Sequence, residues 1–200
     1  MRCIALALGL LFAAFGTATR AESIEVLDAS LRAAEEGLLL DADFEFELTP
    51  RLAEVVANGV PLYFRVEFQL TRPRWYWFNE RAASSHLQLR LSYHALSRQY
   101  RLSTGLLQQS FATLDEALNV LKRVRNWLVV DRAASFANAD YQAALRMRLD
   151  TALLPKPFQM SALLNRDLQL GSTWRRFTVR PPRQLPPPAE SREAKVEEPR

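Results

Sequence analysis

The chain has a single cysteine, Cys3, and it lies in an apolar segment at the N-terminus. The residues after position 21 therefore contain no thiol, which excludes a disulfide, a thiolate metal ligand and a cysteine nucleophile from that part of the chain. We expect its stability to come from an ordinary hydrophobic core. A span of about 160 residues is long enough to bury one.

Glycine and histidine are also scarce. The glycines after position 21 are too dispersed for a phosphate-binding loop, which needs them clustered: Gly37, Gly59, Gly105 and Gly171. The two histidines, His86 and His94, would lie about 27 Å apart on one strand, too far to share a metal ion. The motifs HExxH and GxSxG are absent. These absences predict no metal site, no cofactor and no enzymatic activity.

Charge of one sign is not in large excess. The chain has 26 basic and 22 acidic residues. Residues 1–21 hold two of the arginines, Arg2 and Arg20, so the remainder carries 24 − 22 = +2. This balance argues against nucleic acid as a partner.

Residues 1–21 are typical of a cleavable signal peptide. Arg2 precedes an apolar stretch over residues 3–15, and small residues follow it up to Ala21. The stretch is too short to span a bilayer, which takes roughly 20 residues. We predict cleavage after Ala21, export to the periplasm or beyond, and no transmembrane anchor after cleavage.

Alternation of apolar and polar residues dominates residues 22–180, and one dry and one wet face are typical of antiparallel sheets. The pattern predicts strands over 38–48, 62–71, 86–95 and 141–149, and shorter ones at 24–32, 99–104 and 173–179. Helices are predicted near 50–57, after Thr49-Pro50, and from Thr113, whose capping box with Glu116 starts a helix of about ten residues. Pro155 and Pro157 predict a bend into a short helix at 158–164.

We therefore predict a mainly β (α+β) domain over residues 22–180, an antiparallel sandwich-like sheet with two short helices. From Arg180 onward the chain is rich in proline and charge and poor in large apolar groups. Residues 181–200 are predicted to form a disordered, proline-rich charged tail.

An acidic row on the second predicted strand has two interpretations. Asp41, Asp43, Glu45 and Glu47 share its polar face. Two carboxylates at this spacing, about 7 Å, resemble the pair of a glycosidase, so a hydrolase of envelope glycans is one hypothesis. The favoured interpretation is a solvated face, ion-paired across strands with arginines of the neighbouring strands: Arg65, Arg90, Arg146 or Arg148.

The strongest candidate for a binding site is the segment from Arg72 to Arg81. It contains four consecutive aromatic residues, which cannot all face one core from a strand, and arginine and tryptophan are enriched at binding hot spots. The predicted partner-binding residues are Arg72, Arg74, Trp75, Tyr76, Trp77 and Arg81. The competing interpretation is that the aromatic side chains cap one end of the core.

The chain resembles a family of uncharacterised exported proteobacterial proteins, classed as a domain of unknown function. The resemblance rests on Gly59-Val60-Pro61-Leu62 leading into Arg72 to Trp77, on LSYHALSRQYRLS at 91–103 and on LDTALLPKPFQ at 149–159. The resemblance covers most of residues 23–180. No activity, cofactor or catalytic residue is established for that family, so the resemblance assigns none to this chain. Genes of that family tend to lie near a nitrogen-regulation-type sensor kinase, which associates them with envelope sensing.

The sequence thus favours an exported binding or adaptor protein with an envelope protein as partner. A carboxylate-dependent hydrolase using Asp41, Asp43 or Glu45 and a carrier of an apolar ligand are the alternatives.

Overall fold

The computed structural model describes residues 23–73, 80–134, 136–164 and 168–182. The predicted signal peptide lies outside the described residues, and so does the predicted tail beyond residue 182. Within the described part, the chain is mostly β and its strands form two antiparallel sheets, as the alternation predicted. It also has three short helices.

Nine strands and three helices follow one another along the described residues. The strands are β1 (Glu25–Ala33), β2 (Gly37–Glu45), β3 (Leu62–Arg72), β4 (Glu80–His94), β5 (Gln99–Thr104), β6 (Leu107–Phe111), β7 (Arg123–Asp131), β8 (Tyr141–Leu149) and β9 (Arg175–Val179). The helices are α1 (Pro50–Ala57), α2 (Leu114–Leu121) and α3 (Lys156–Leu164). None of these helices is long and apolar enough to cross a membrane.

The strands form a narrow sheet and a broad one. The narrow sheet has the order β1-β2-β7, and the broad sheet has the order β6-β5-β4-β3-β8-β9. The narrow sheet covers the middle of the broad one, because β7 packs near β4 and β1 near β8. Helix α2 packs against β5, β6 and β7, so it covers the part of the broad sheet that the narrow sheet does not reach.

The core lies between the two sheets, and β3 is its centre. Its inward residues are fully buried: Leu62, Phe64, Val66, Phe68 and Leu70. Phe46, just after β2, reaches across to Phe64, with ring centroids 5.5 Å apart. The strict alternation of β3 therefore arises because its inner face is buried and its outer face is half-buried.

The predicted helix starts are confirmed by their caps. The Thr49 hydroxyl accepts the backbone N–H of Leu52 at 3.0 Å, and Thr113 forms its capping box with Glu116. The second helix is shorter than its apolar spacing predicted. It ends at Leu121, and residues 123–125 belong to β7 instead.

Strand β7 escaped prediction because its alternation is broken. Val124 and Trp127 are both buried, which is a spacing of three, and Asn126 between them has a positive φ of 53°. The register with β2 shifts at the same point, between Leu40 and Ala42. A bulge that inserts one residue reverses the face of every later side chain. The apolar residues of β7 therefore do not alternate strictly, and strict alternation does not predict this strand.

Candidate partner-binding surface

The outer face of the broad sheet is rich in arginine. Cα partners in neighbouring strands point to the same side of a sheet, so the register assigns each arginine to a face. Six of the arginines on the outer face follow one diagonal, and we call them the arginine stripe: Arg101, Arg90, Arg65, Arg148, Arg146 and Arg176.

The stripe runs diagonally across five strands. Arg101 is opposite Ser92, two residues from Arg90 on β4, and Arg90 is opposite Tyr63, two residues from Arg65 on β3. The same step repeats beyond β3. Arg65 is opposite Arg148, two residues from Arg146 on β8, and Arg176 on β9 is opposite Ala144.

Each step therefore crosses one strand and advances two residues, or about 8 Å between Cα positions. Four steps give a line of positive charge about 33 Å long.

Acidic residues fix the middle of the stripe in place. Glu67 accepts hydrogen bonds from Arg146 and from Arg148, the latter at 3.2 Å between Nη2 and Oε1. Arg65 pairs with the buried carboxylate of Asp150, at 3.0 Å between Nη2 and Oδ2. Burial alone raises the pKa of Glu67, but the hydrogen bonds from the two arginines outweigh it and hold that pKa below its ordinary value.

Aromatic rings support two of the guanidinium groups. The Cζ atom of Arg146 lies 4.4 Å from the ring centroid of Trp174, and that of Arg90 lies 5.9 Å from the ring centroid of Tyr63. Both distances are within the range of a cation–π contact. A ring against one face of a guanidinium group restricts the orientation of its plane.

The two ends of the stripe have an excess of positive charge. Arg90, Arg101 and Arg176 have no acidic partner among the residues that the structure describes. Six arginines against Glu67 and Asp150 leave a surplus of 6 − 2 = 4 charges within the stripe. Carboxylates fit this surface well, because the guanidinium fork matches their geometry.

The stripe is costly for the fold. Arg65 and Arg148 lie directly opposite each other, and like charges in that arrangement destabilise a sheet. The Nε atoms of Arg65, Arg101 and Arg148 are buried without a hydrogen-bond partner, and each such donor costs about 1–3 kcal/mol. Groups that burden stability in this way are common at functional surfaces.

The structure describes two of the six predicted binding residues. Arg72 ends β3 and lies 3.9 Å from Glu80, between Nη1 and Oε2. Arg81 is exposed at the start of β4, opposite Thr71 and on the same outer face as the stripe. The other four, Arg74, Trp75, Tyr76 and Trp77, lie outside the described residues, so their predicted role stays a prediction.

The acidic row is ion-paired, but with other partners than predicted. The predicted arginines belong to the broad sheet, whereas the row lies on the narrow one. Asp41 pairs with Arg32 at 3.4 Å between Oδ2 and Nε, and Asp43 with Arg125. The fourth carboxylate, that of Glu47, lies beyond the end of β2.

Glu45 accepts a hydrogen bond from Lys122 at 2.6 Å between Oε1 and Nζ, and this bond keeps the pKa of Glu45 below its ordinary value. A general acid needs the opposite shift.

Two open clefts flank Lys122. One, of about 320 Å³, is lined by Asp43, Glu45 and Arg125 among others, and the other, of about 410 Å³, lies between α1 and α2. Both are rimmed by charged side chains. The histidines occupy the single strand β4, as the alternation predicted, and the described residues contain no group of acidic residues and histidines that could hold a metal ion.

A family model described as "Domain of unknown function (DUF4390)" matches residues 21–178. The chain belongs to this family. The DUF4390 match includes all six arginines of the stripe, together with Glu67, Asp150 and Trp174. No curated protein and no solved structure matches the chain.

Four contributors to this surface were missed from the sequence: Arg101, Arg176, Asp150 and Trp174. Asp150 and Trp174 lie outside the alternating segments that were analysed for their outward residues, and each reaches the stripe only through the fold. The outward direction of Arg65, Arg90, Arg146 and Arg148 was predicted and is confirmed. Their alignment into one diagonal depends on a strand order that the alternation does not contain.

Proposed function

We propose that this DUF4390 protein is a non-enzymatic binding or adaptor protein of the bacterial envelope, and that it binds an acidic segment of a partner protein through the arginine stripe. The surplus of positive charge on a pre-positioned outer face carries the proposal. Export rests on the signal-peptide pattern of residues 1–21.

The spacing of the stripe suits an extended chain with carboxylates at alternate residues. In such a chain, side chains on one face repeat at about 6.8 Å, close to the step of about 8 Å between successive arginines. Glu67, Asp150 and Trp174 hold the central guanidinium groups, and Tyr63 contacts that of Arg90. Little entropy of these side chains is therefore lost when a ligand binds.

The hydrolase alternative has less support. Asp41, Asp43 and Glu45 each have a basic partner, and hydrolysis by two carboxylates requires one of them to stay protonated near neutral pH. An apolar-ligand carrier also has less support, because the two clefts beside Lys122 are open and rimmed by charge.

The direct test is binding of a fluorescent peptide of alternating glutamate and serine, followed by anisotropy. We expect Arg90→Ala/Arg101→Ala to raise the Kd roughly tenfold, since two unpaired cations are lost. The matched control is Arg51→Ala/Arg123→Ala, which removes two exposed arginines away from the stripe. Its Kd should stay within about twofold of the parent value.

Two results would overturn the proposal. One is equal weakening by both double variants, which would mean that net charge alone attracts the peptide. The other is tighter binding of a sulfated glycan or of vesicles containing phosphatidylglycerol, which would make the partner a polyanion other than a protein.

A further inference from the structure

We infer that strand β6 is a self-association edge, at which two copies of the chain pair antiparallel and join their broad sheets into one. The inference concerns the edge of the broad sheet and is independent of the arginine stripe. Four strands lie at the edges of the two described sheets: β1, β7, β6 and β9.

Three of the four edges are protected by charge. Charged side chains on an edge strand prevent pairing with another chain, and each of the other edge strands carries at least two of them: Glu25 and Arg32 on β1, Arg123 and Asp131 on β7, Arg175 and Arg176 on β9. Strand β6 carries none. It lies within residues 102–114, the longest run without a charged residue after position 20.

The exposure of β6 fits an unfilled interface. Four of its five residues, Leu107–Ser110, are exposed, and so is Leu106 in the turn that precedes it. Leu106 and Leu107 are among the most exposed large apolar side chains of the described residues. The strand lies outside the area that the narrow sheet covers, and α2 packs on this side of the sheet without burying Leu107.

The strand is complementary to itself. A two-fold axis through its central residue, Gln109, sets Gln109 opposite its own copy, Gln108 opposite Ser110, and Leu107 opposite Phe111. Leu107, Gln109 and Phe111 lie on the inner side, because their β5 partners Thr104, Leu102 and Tyr100 share one face of that strand and Leu102 is buried. Pairing would therefore shelter Leu107 and Phe111 against each other while the outer side stays polar. No pair in this register brings two like charges together.

Five paired residues per copy make a small interface, so we expect a dimer with a Kd in the micromolar range. The measurement is sedimentation equilibrium of the purified protein from about 1 µM to about 500 µM, a range that brackets an association of this size. A dimer should form within this range, and a protein that is monomeric throughout would overturn the inference.

Charge at Gln109 tests the register. Gln109→Lys sets two lysines opposite each other and should weaken the dimer at least fivefold, and Gln109→Glu should do the same. A mixture of the two variants pairs lysine with glutamate and should restore heterodimers. The matched control is Gln142→Lys, an exposed position on the interior strand β8 whose cross-strand partners, Thr71 and Thr178, are uncharged, and it should leave the dimer unchanged.

Two outcomes of these mixing experiments would contradict self-pairing through β6. A dimer that tolerates both Gln109 variants forms through another surface. Variants that weaken the dimer without restoring it on mixing place Gln109 elsewhere than on the two-fold axis. Thermal unfolding of each variant separates lost association from lost folding, because a folded variant should have a midpoint near that of Gln142→Lys.

Discussion

The outer faces of the two sheets differ in how they arrange charge. On the narrow sheet each acidic residue of β2 has a basic partner: Asp41 has Arg32, Asp43 has Arg125, and Glu45 has Lys122. On the broad sheet six arginines share two carboxylates. Balanced pairs at a surface give solubility at little cost, whereas a surplus of one sign works against the fold. This difference supports the proposal that the outer face of the broad sheet binds a partner.

The largest effect is expected at Asp150, on which the centre of the stripe depends. Asp150→Asn removes the buried carboxylate that pairs with Arg65, and Arg65 then faces Arg148 without compensation. We expect the free energy of unfolding to fall by about 2–3 kcal/mol in urea denaturation, less than for a fully buried pair because Arg65 is partly exposed.

An exposed aspartate–arginine pair provides the control for Asp150. Asp140 lies 2.7 Å from Arg180, between Oδ1 and Nη2, and both side chains are more than half exposed. Asp140→Asn should cost less than about 0.5 kcal/mol. Equal losses in the two variants would show that the centre of the stripe needs no buried counter-charge.

Glu67 and Glu45 allow the same comparison at different pH. Both carboxyl groups have a pKa below the ordinary value of 4.5, Glu67 through Arg146 and Arg148 against the opposing effect of burial, and Glu45 through Lys122. A carboxyl group whose pKa is lower in the folded state stabilises the fold above its unfolded pKa, and that stabilisation is lost as the pH falls through the folded value.

The substitution Glu67→Gln should therefore cost about 1–2 kcal/mol at pH 7, since it leaves two half-buried arginines unpaired. Glu45→Gln should cost less than about 1 kcal/mol, because Glu45 is exposed. In both cases the difference from the parent protein should shrink as the pH is lowered below 4.5. A Glu67→Gln deficit that stays constant down to pH 3 would assign the loss to packing instead of charge.

The sequence predicted a strand wherever one face of that strand is buried and the other is at least partly exposed. Strands β3 and β8 show it best, because the core takes every second residue of each. Strand β6 could not be found in this way, since both of its faces are wet over Leu107–Ser110. Strand β7 was hidden by the bulge at Asn126.

The sequence predicted the direction of individual arginine side chains in the candidate site, but not how these side chains are arranged together. Alternation showed which side of its own strand each of Arg65, Arg90, Arg146 and Arg148 occupies, and the structure confirms it. It could not show that β8 returns to lie beside β3, because this pairing joins residues about 80 positions apart, and long-range pairing leaves no local pattern. The incorrect partners of the acidic row have the same origin. Asp43 was assigned to arginines of the wrong sheet, because alternation does not specify which strands are neighbours.

The smallest expected effects on the free energy of unfolding have opposite signs on the two sheets. Arg101→Gln removes a cation that has no acidic partner among the described residues and whose Nε is buried without a hydrogen bond. It should leave the free energy of unfolding unchanged or raise it by about 0.5 kcal/mol. Arg32→Gln, on the narrow sheet, breaks the pair with Asp41 and should lower that free energy by about 0.5 kcal/mol.

Urea denaturation of both variants, together with binding of the glutamate–serine peptide, tests this comparison. A stripe that is maintained for binding predicts that Arg101→Gln weakens the peptide complex while the fold gains or keeps stability. Arg32→Gln should lower the stability and leave the Kd for the peptide unchanged. Loss of stability in both variants would instead mean that the arginines of the broad sheet support the fold as those of the narrow sheet do.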